Sequence, residues 1–187
     1  MSSPPPAGAG SLRRVSSDPG RLSARDQLAA LAHERSFAGP WRHALGEIDL
    51  SAARPAAVLV LFGVLDDLAS DHDAQALAVH RDLDVLLLAR AATLRSHPGQ
   101  VAFPGGRVEP DEGVVEAALR EANEETGVDT AGVEVLGTLE SLPMPVSSHV
   151  VTPVLAWWAR QSAVGVVDPA ESAHVFRAPV ADLLDPG

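Results

Sequence analysis

Residues 106–128, GRVEPDEGVVEAALREANEETGV, constrain what this chain can fold into more than any other stretch. A glycine turn opens the stretch, an acidic segment with helical spacing follows, and Gly127 closes it. Glu121, Glu124 and Glu125 stand at i, i+3 and i+4, which places three carboxylates on one face of a helix. Because like charges at this spacing repel, the cluster is best explained by a hard cation among the oxygens, and Mg²⁺ and Mn²⁺ prefer such ligands.

The fixed positions of the stretch are more specific than those of an acidic helix alone. They are Gly106, Glu112, Arg120, Glu121, Glu124, Glu125, Gly127 and Val128. In this order and spacing they resemble the Nudix box, the signature of hydrolases that cleave a nucleoside diphosphate linked to another group. The one departure is small: Ala122 stands where a larger aliphatic residue is usual. The alternative is a solvated surface helix whose charges match by chance.

The composition excludes several other kinds of chemistry. The chain has 187 residues, 46% hydrophobic and 21% charged, as expected for one soluble globular domain. It contains no cysteine, and all 14 basic residues are arginine, which rules out thiolate sites and lysine Schiff bases. The net charge of −11 argues against a nucleic-acid partner, whereas a bound cation would still admit a phosphorylated substrate. No apolar run is long enough to span a bilayer, so we expect a cytoplasmic protein without a membrane partner. The oligomeric state is left open, and a homodimer is one option.

Hydrophobic patterning and turn residues predict an α/β fold. Helices are predicted at residues 25–36 and 114–126. Strands are predicted at residues 53–65, 83–90, 100–103, 133–142, 150–160 and 174–178. Strands interleaved with helices imply a layered α/β architecture. The resemblance makes this more specific: it implies an α/β/α sandwich with a mixed sheet and the acidic helix over one face.

The chain is predicted to have one folded domain. Residues 1–24 are rich in Ser, Pro, Gly and Arg and are expected to form a flexible tail, with a transit peptide as the less favoured alternative. Residues 25–187 show no internal repeat and no shift in composition, so we assign them to a single Nudix domain. The segment ADLLDPG stops abruptly at the end, and we expect the natural chain to continue.

A second motif precedes the first. It comprises Leu86, Leu87, Arg90, Arg95, Gly99, Val101, Phe103, Pro104, Gly105 and Gly106. These residues resemble the additional signature of the coenzyme A diphosphatase branch of the Nudix family. Leu88 and Ala91 depart from it, since the branch has threonine and serine there. The resemblance implies hydrolysis of coenzyme A or its thioesters to 3′,5′-ADP and 4′-phosphopantetheine or its acyl form.

The resemblance also implies roles for the acidic residues and their arginine. Glu121, Glu124 and Glu125 would hold Mg²⁺ or Mn²⁺, and Glu112 is a weaker candidate for an outer ligand. Arg120 would orient these carboxylates by ion pairing. The cations would polarise the diphosphate and activate the attacking water.

Substrate contacts are expected from the upstream motif. Arg90 and Arg95 could hold phosphates of the anionic substrate, since arginine binds phosphate with a planar fork; surface ion pairs are the alternative. Gly105 and Gly106 let the backbone approach a ligand, or they form tight turns without one. Of the adjacent Trp157 and Trp158, one should be core and the other could stack on adenine.

The base that accepts the proton of the attacking water is not decided by the motifs. Family members often draw a further carboxylate from the loop at VVDPAESAHVF, which offers Asp168 and Glu171. Glu171 is the candidate catalytic residue, because Asp168 precedes a proline and suits a turn. The alternative is that Asp168 and Glu171 are both solvent-exposed loop residues without a role in catalysis. The rival functions are hydrolysis of ADP-ribose, a dinucleotide or an oxidised nucleotide, and a non-catalytic Nudix-like binding module.

Overall fold

The computed structural model describes residues 23–34, 53–64, 83–93, 98–145 and 147–184. Three predictions lie wholly or largely outside these residues: the tail at 1–24, the role of Arg95, and the end of the chain after residue 184. None of the helices in the described part of the chain is long and apolar enough to cross a membrane.

The described residues form eight strands and three α-helices. The strands are β1 (Arg54–Val64), β2 (Leu83–Arg90), β3 (Val101–Ala102), β4 (Gly105–Arg107), β5 (Val133–Thr138), β6 (Leu142–Met144), β7 (His149–Trp158) and β8 (Ser172–Pro179). The helices are α1 (Ala24–Glu34), α2 (Val114–Thr126) and α3 (Val180–Leu184). The predicted helix at 114–126 is therefore confirmed at both ends.

All eight strands belong to one mixed sheet. Its main path runs β3-β2-β1-β7-β5, while β4 pairs with β1, β6 with β7, and β8 with β2. The central strands β1 and β7 are parallel, and the other pairs are antiparallel. β1 pairs with β2 only near its end and with β4 near its start. The sheet is therefore split between β3, which pairs with β2, and β4, which pairs with β1.

The two long helices cover opposite faces of the sheet. The face under α2 carries the core, which includes Leu59 and Leu61 of β1 and packs against Val133 of β5. Glu134, the next residue of β5, points to the other face by strand alternation, and there it pairs with Arg25 of α1. The predicted α/β/α sandwich with a mixed sheet is thus confirmed.

Apart from shifts of one or two residues at the ends of strands and helices, two assignments differ from the sequence prediction. The strand predicted at 133–142 is two strands, β5 and β6, separated by residues 139–141, and the pairing of β5 with β7 also shifts between Val135 and Gly137. A Cβ on Gly137 would lie 3.0 Å from the Cβ of Ala32, so the glycine lets α1 pack closely on the sheet. No strand was predicted at residues 105–107, yet they form β4, because glycine is a weak signal for a strand.

Candidate active site

The acidic helix α2 lies close to the sheet because its buried side is made of small residues. Ala117, Ala118 and Ala122 are fully buried against the core. The left-handed Gly127, with φ of 70°, ends the helix and donates its N–H to Asn123 O at 2.8 Å. The small Ala122 therefore serves close packing, which holds the adjacent carboxylates near β4.

Arg120 connects the carboxylates of the box. Its Nε donates to Glu112 Oε1 at 2.8 Å, and its Nη2 donates to Glu112 Oε2 at 3.1 Å. Its Nη1 donates to Glu121 Oε1 at 3.0 Å and to Glu124 Oε2 at 3.1 Å. Nη2 also donates to the Arg107 carbonyl at 3.0 Å, which fixes the guanidinium to β4. This is the contact pattern expected of a residue that orients carboxylates.

Glu112 has a different set of partners from the one expected of a metal ligand. Both of its oxygens bind Arg120, and Oε2 also accepts the Glu109 N–H at 3.0 Å. The hydrogen bonds from the guanidinium, followed by that N–H, lower the pKa of Glu112 below its usual range. Its observed contacts hold Arg120 in place, and its role as an outer metal ligand stays a prediction.

Glu125 faces a cleft and is the most perturbed acid described. Burial raises its pKa to about 7, the Gly105 N–H hydrogen bond at 2.9 Å opposes the shift, and the charge of Glu121 adds to it. Arg90 lowers this pKa electrostatically and Glu171 raises it, so both side chains lie within electrostatic range. A carboxylate whose pKa is raised to near neutral pH is typical of a functional site.

The two glycines of β4 make room for protein atoms. A Cβ on Gly105 would lie 2.3 Å from the Ala57 carbonyl oxygen and 2.6 Å from Val58 Cα. A Cβ on Gly106 would lie 2.4 Å from the carboxyl group of Glu121. The first glycine thus lets β4 approach β1, and the second seats a box carboxylate beside the strand.

Replacing Gly105 by alanine is expected to destabilise the fold by about 3 kcal/mol, because the new methyl group would overlap backbone atoms of β1 that cannot move independently. Urea unfolding of the metal-free protein measures the change. Gly165→Ala is the matched control, since nothing lies within 4 Å of its Cβ position. Equal unfolding midpoints for the two variants would contradict this account of β4.

An open cleft of about 830 Å³ joins the two sequence motifs. Arg90 comes from the upstream motif and Glu125 from the box, and Gly105 and Gly106, where the two motifs meet, line the cleft on β4. The cleft extends past Arg107 to Ser147 and His149 at the start of β7. The sequence analysis gave these last three residues no role: Arg107 directly follows Gly106, whereas Ser147 and His149 reach the cleft through the pairing of β7 with β1.

Arg90 and Ser172 are polar groups that lack partners beside this cleft. The Arg90 Nε atom is buried, and within the described ranges it has no hydrogen-bond partner. Ser172 pairs with Arg90 across β2 and β8, is 1% exposed, and its hydroxyl is likewise unpaired there. A buried polar group without a partner requires an explanation, and a role in binding or catalysis is one such explanation.

The loop before β8 brings Glu171 to the same region. Its carbonyl accepts the Ala91 N–H at 2.9 Å, which ties the loop to the end of β2. The side chain is exposed, and its charge raises the pKa of Glu125. Asp168 instead accepts the Ala170 N–H at 2.8 Å within the turn, in agreement with the predicted turn role.

Comparison with known proteins identifies the family. Residues 71–186, more than half of the chain, match the NUDIX domain. This chain belongs to the Nudix family. It is 40% identical over 102 residues to Nudix hydrolase 3 of Caenorhabditis elegans, covering 54% of this chain and 42% of that protein. It is 42% identical over 101 residues to the uncharacterised Nudix hydrolase NudL of Photorhabdus laumondii, covering 54% and 53%.

The chain spans about half the length of the curated relatives it matches. Both are named as hydrolases, which supports the predicted class of enzyme, a Nudix-type pyrophosphohydrolase. Among solved structures, the Nudix hydrolase RenU of M. smegmatis superposes with a TM-score of 0.53 at 23% identity. The match covers 71% of this chain and 74% of RenU, and it shows the shared fold.

The acidic residues of this Nudix domain fit a hard divalent cation, although they are not preassembled around one. Glu125 is half-buried and makes no ion pair with another described residue, and the charge of Glu121 raises its pKa. Glu121 and Glu124 both bind Arg120, and in the described ranges no group of three such side chains is arranged around a common point. Metal binding would therefore require Glu121 and Glu124 to share or leave their arginine contacts.

The tryptophan expected to stack on adenine lies away from the cleft. Trp158 is buried in the core beneath the Arg177 guanidinium, 5.3 Å from the ring centroid. Trp157 pairs with Glu134 and therefore faces the side of the sheet that α1 covers. It borders a separate cavity near Val64 and does not line the cleft, so stacking on adenine stays a prediction that this cleft does not support.

Proposed function

We propose that this Nudix domain hydrolyses the diphosphate bond of coenzyme A or its thioesters with the help of Mg²⁺ or Mn²⁺. The products would be 3′,5′-ADP and 4′-phosphopantetheine, or its acyl form. The observation that carries the proposal is the single cleft in which Arg90 of the upstream motif meets Glu125 of the Nudix box. Residues 35 positions apart in the chain, one from each sequence signature, thus line one cleft.

The upstream side of the cleft is suited to a diphosphate. Arg90 has an unpaired, buried Nε–H, and its fixed planar charge suits phosphate oxygens. The ribose and pantetheine arms of the substrate would extend along the cleft past Phe103 and Val151. Arg95, predicted to hold a second phosphate, lies outside the described residues and stays a prediction.

The box side of the cleft would hold the cation and the attacking water. Glu121, Glu124 and Glu125 would bind the cation, whose charge would stabilise the phosphoryl oxygens and acidify water. Arg120 would keep Glu121 and Glu124 oriented, and Glu112 would keep Arg120 in position. Glu171 is exposed beside Glu125, and we assign it the role of general base that accepts the water proton.

The direct test incubates the protein with coenzyme A and Mg²⁺ or Mn²⁺ and identifies the products by mass. We expect 3′,5′-ADP and 4′-phosphopantetheine, and no products in the presence of a chelator. A panel with ADP-ribose, a dinucleotide and an oxidised nucleotide should give lower kcat/KM. Faster turnover of one of these would replace the proposed substrate, and no turnover of any of them would favour a non-catalytic binding module.

A further inference from the structure

Three cationic or hydrogen-bonding side chains lie together at the end of the cleft farther from Glu125. In the parallel pair of β1 and β7, Arg54 is opposite His149. In the antiparallel pair of β1 and β4, Arg107 is opposite Ala56. Paired residues share a face, and Arg54 and Ala56 share one by alternation, so all three side chains emerge on one side of the sheet. Arg107 and His149 line the cleft itself.

Arg54 and Arg107 have no acidic partner among the described residues, unlike three other arginines there. Arg25 pairs with Asp26 and Glu134, Arg120 pairs with three box acids, and Arg177 pairs with Asp84. Arg54 and Arg107 are exposed, and neither side chain makes an ion pair or hydrogen bond within the described part of the chain. In a protein of net charge −11, two arginines with no acidic partner among the described residues give this end of the cleft a local positive field for an anion.

The backbone holds this group together through a strained turn. Ser148, directly before β7, has φ of 54°, a left-handed conformation that non-glycine residues seldom adopt. Its carbonyl accepts the Arg54 N–H at 3.0 Å, so the turn joins the starts of β1 and β7. The strained residue therefore lies at the point where Arg54 and His149 are brought side by side.

We propose that Arg107, together with Arg54 and His149, binds a phosphate monoester of the substrate that is separate from the diphosphate beside Glu125. Gly105, whose N–H binds Glu125, and Arg107 are two residues apart on β4, or about 7 Å. The second phosphate would thus lie about one sugar ring away from the diphosphate. Resting on the proposed function, this inference assigns the three side chains to the ribose 3′-phosphate of coenzyme A.

The test compares coenzyme A with dephospho-coenzyme A, which lacks only that phosphate. Wild type should have the higher kcat/KM for coenzyme A. Arg107→Ala should lower kcat/KM for coenzyme A about 10- to 100-fold and lower it far less for dephospho-coenzyme A, because a charge-assisted hydrogen bond is lost. Arg107→Lys should restore part of the ratio, and Arg54→Ala should change it in the same direction as Arg107→Ala.

Arg160→Ala is the matched control for charge. Arg160 is also exposed, but it follows the other end of β7 and donates to the Ala131 carbonyl. We expect it to keep the wild-type ratio of the two substrates. An equal loss for both substrates in Arg107→Ala, or the same change of ratio in Arg160→Ala, would overturn the inference.

A binding experiment separates this inference from the proposed hydrolysis. Calorimetry with 3′,5′-ADP and with 5′-AMP should show a preference for the former that Arg107→Ala reduces. If coenzyme A is not hydrolysed but this preference is found, the phosphate site stands and the proposed function fails. If coenzyme A is hydrolysed without any such preference, the phosphate site fails and the proposed function stands. If neither hydrolysis nor the preference is found, the proposed function and the phosphate site are both overturned.

Discussion

Glu125→Gln is expected to lower kcat by at least about two orders of magnitude, because a neutral amide binds a hard dication weakly. Glu125 is the box acid that lines the cleft, and its hydrogen bond from Gly105 directs it there. Glu124→Gln should act in the same direction. The measurement is kcat at saturating Mg²⁺ or Mn²⁺ with coenzyme A. Glu116→Gln, the same change at an exposed position near the start of α2, should keep wild-type turnover.

The same substitution should stabilise the metal-free protein at high pH. The pKa of Glu125 is raised to about 7 chiefly by burial, so its neutral form is the one the fold favours. The contribution of protonated Glu125 to the free energy of unfolding is fully present below the unfolded-state pKa, near 4.5. It is lost as the pH rises through about 7. Glutamine stays neutral, so the variant should equal wild type at pH 5 and exceed it by about 2 kcal/mol at pH 8, allowing for partial solvent access.

The opposite signs of these two effects distinguish a functional acid from a structural one. Added Mn²⁺ should raise the melting temperature of wild type and leave that of Glu125→Gln nearly unchanged. Near-normal turnover of the variant at saturating metal would remove Glu125 from the metal site. A variant less stable than wild type at pH 8 would show that the buried charge is not the cause of the shifted pKa.

Glu171→Gln is expected to lower kcat by about 10²–10⁴, the usual effect of losing a general base. The acidic limb of the pH–rate profile should flatten, and metal affinity should barely change. The expectation rests on the position of Glu171, which the Ala91 N–H fixes at the end of β2 and whose charge reaches Glu125. The measurements are the pH–rate profile with coenzyme A and a Mn²⁺ titration.

Asp168→Asn controls for a general effect of charge in this loop. The amide oxygen of asparagine can still accept the Ala170 N–H, so the turn should persist. We expect turnover close to wild type. If Glu171→Gln has wild-type kcat and an unchanged pH profile, Glu171 is a solvated loop acid and the base lies elsewhere, with the box glutamates as the first alternatives.

The sequence by itself determined the local elements that depend on near neighbours. The helix at 114–126 was predicted to the residue, because its start and its glycine stop are set within one turn. Buried strands at 53–65 and 83–90 followed from unbroken apolar runs, and they correspond to β1 and β2. The Nudix family followed from fixed spacings within one segment, since the chemistry needs those carboxylates on one helical face.

The tertiary structure decided what depends on contacts between distant segments. Whether Gly105 approaches a ligand or β1 depends on where β1 lies, and local sequence carries no signal for that distance. Glu112, the weaker candidate for an outer metal ligand, binds Arg120 eight residues on, a contact that the spacing of the motif does not reveal. Arg54, Arg107 and His149 carry no shared motif and meet only through strand register. Register results from the burial of whole strands, so these residues become neighbours only once the sheet is formed.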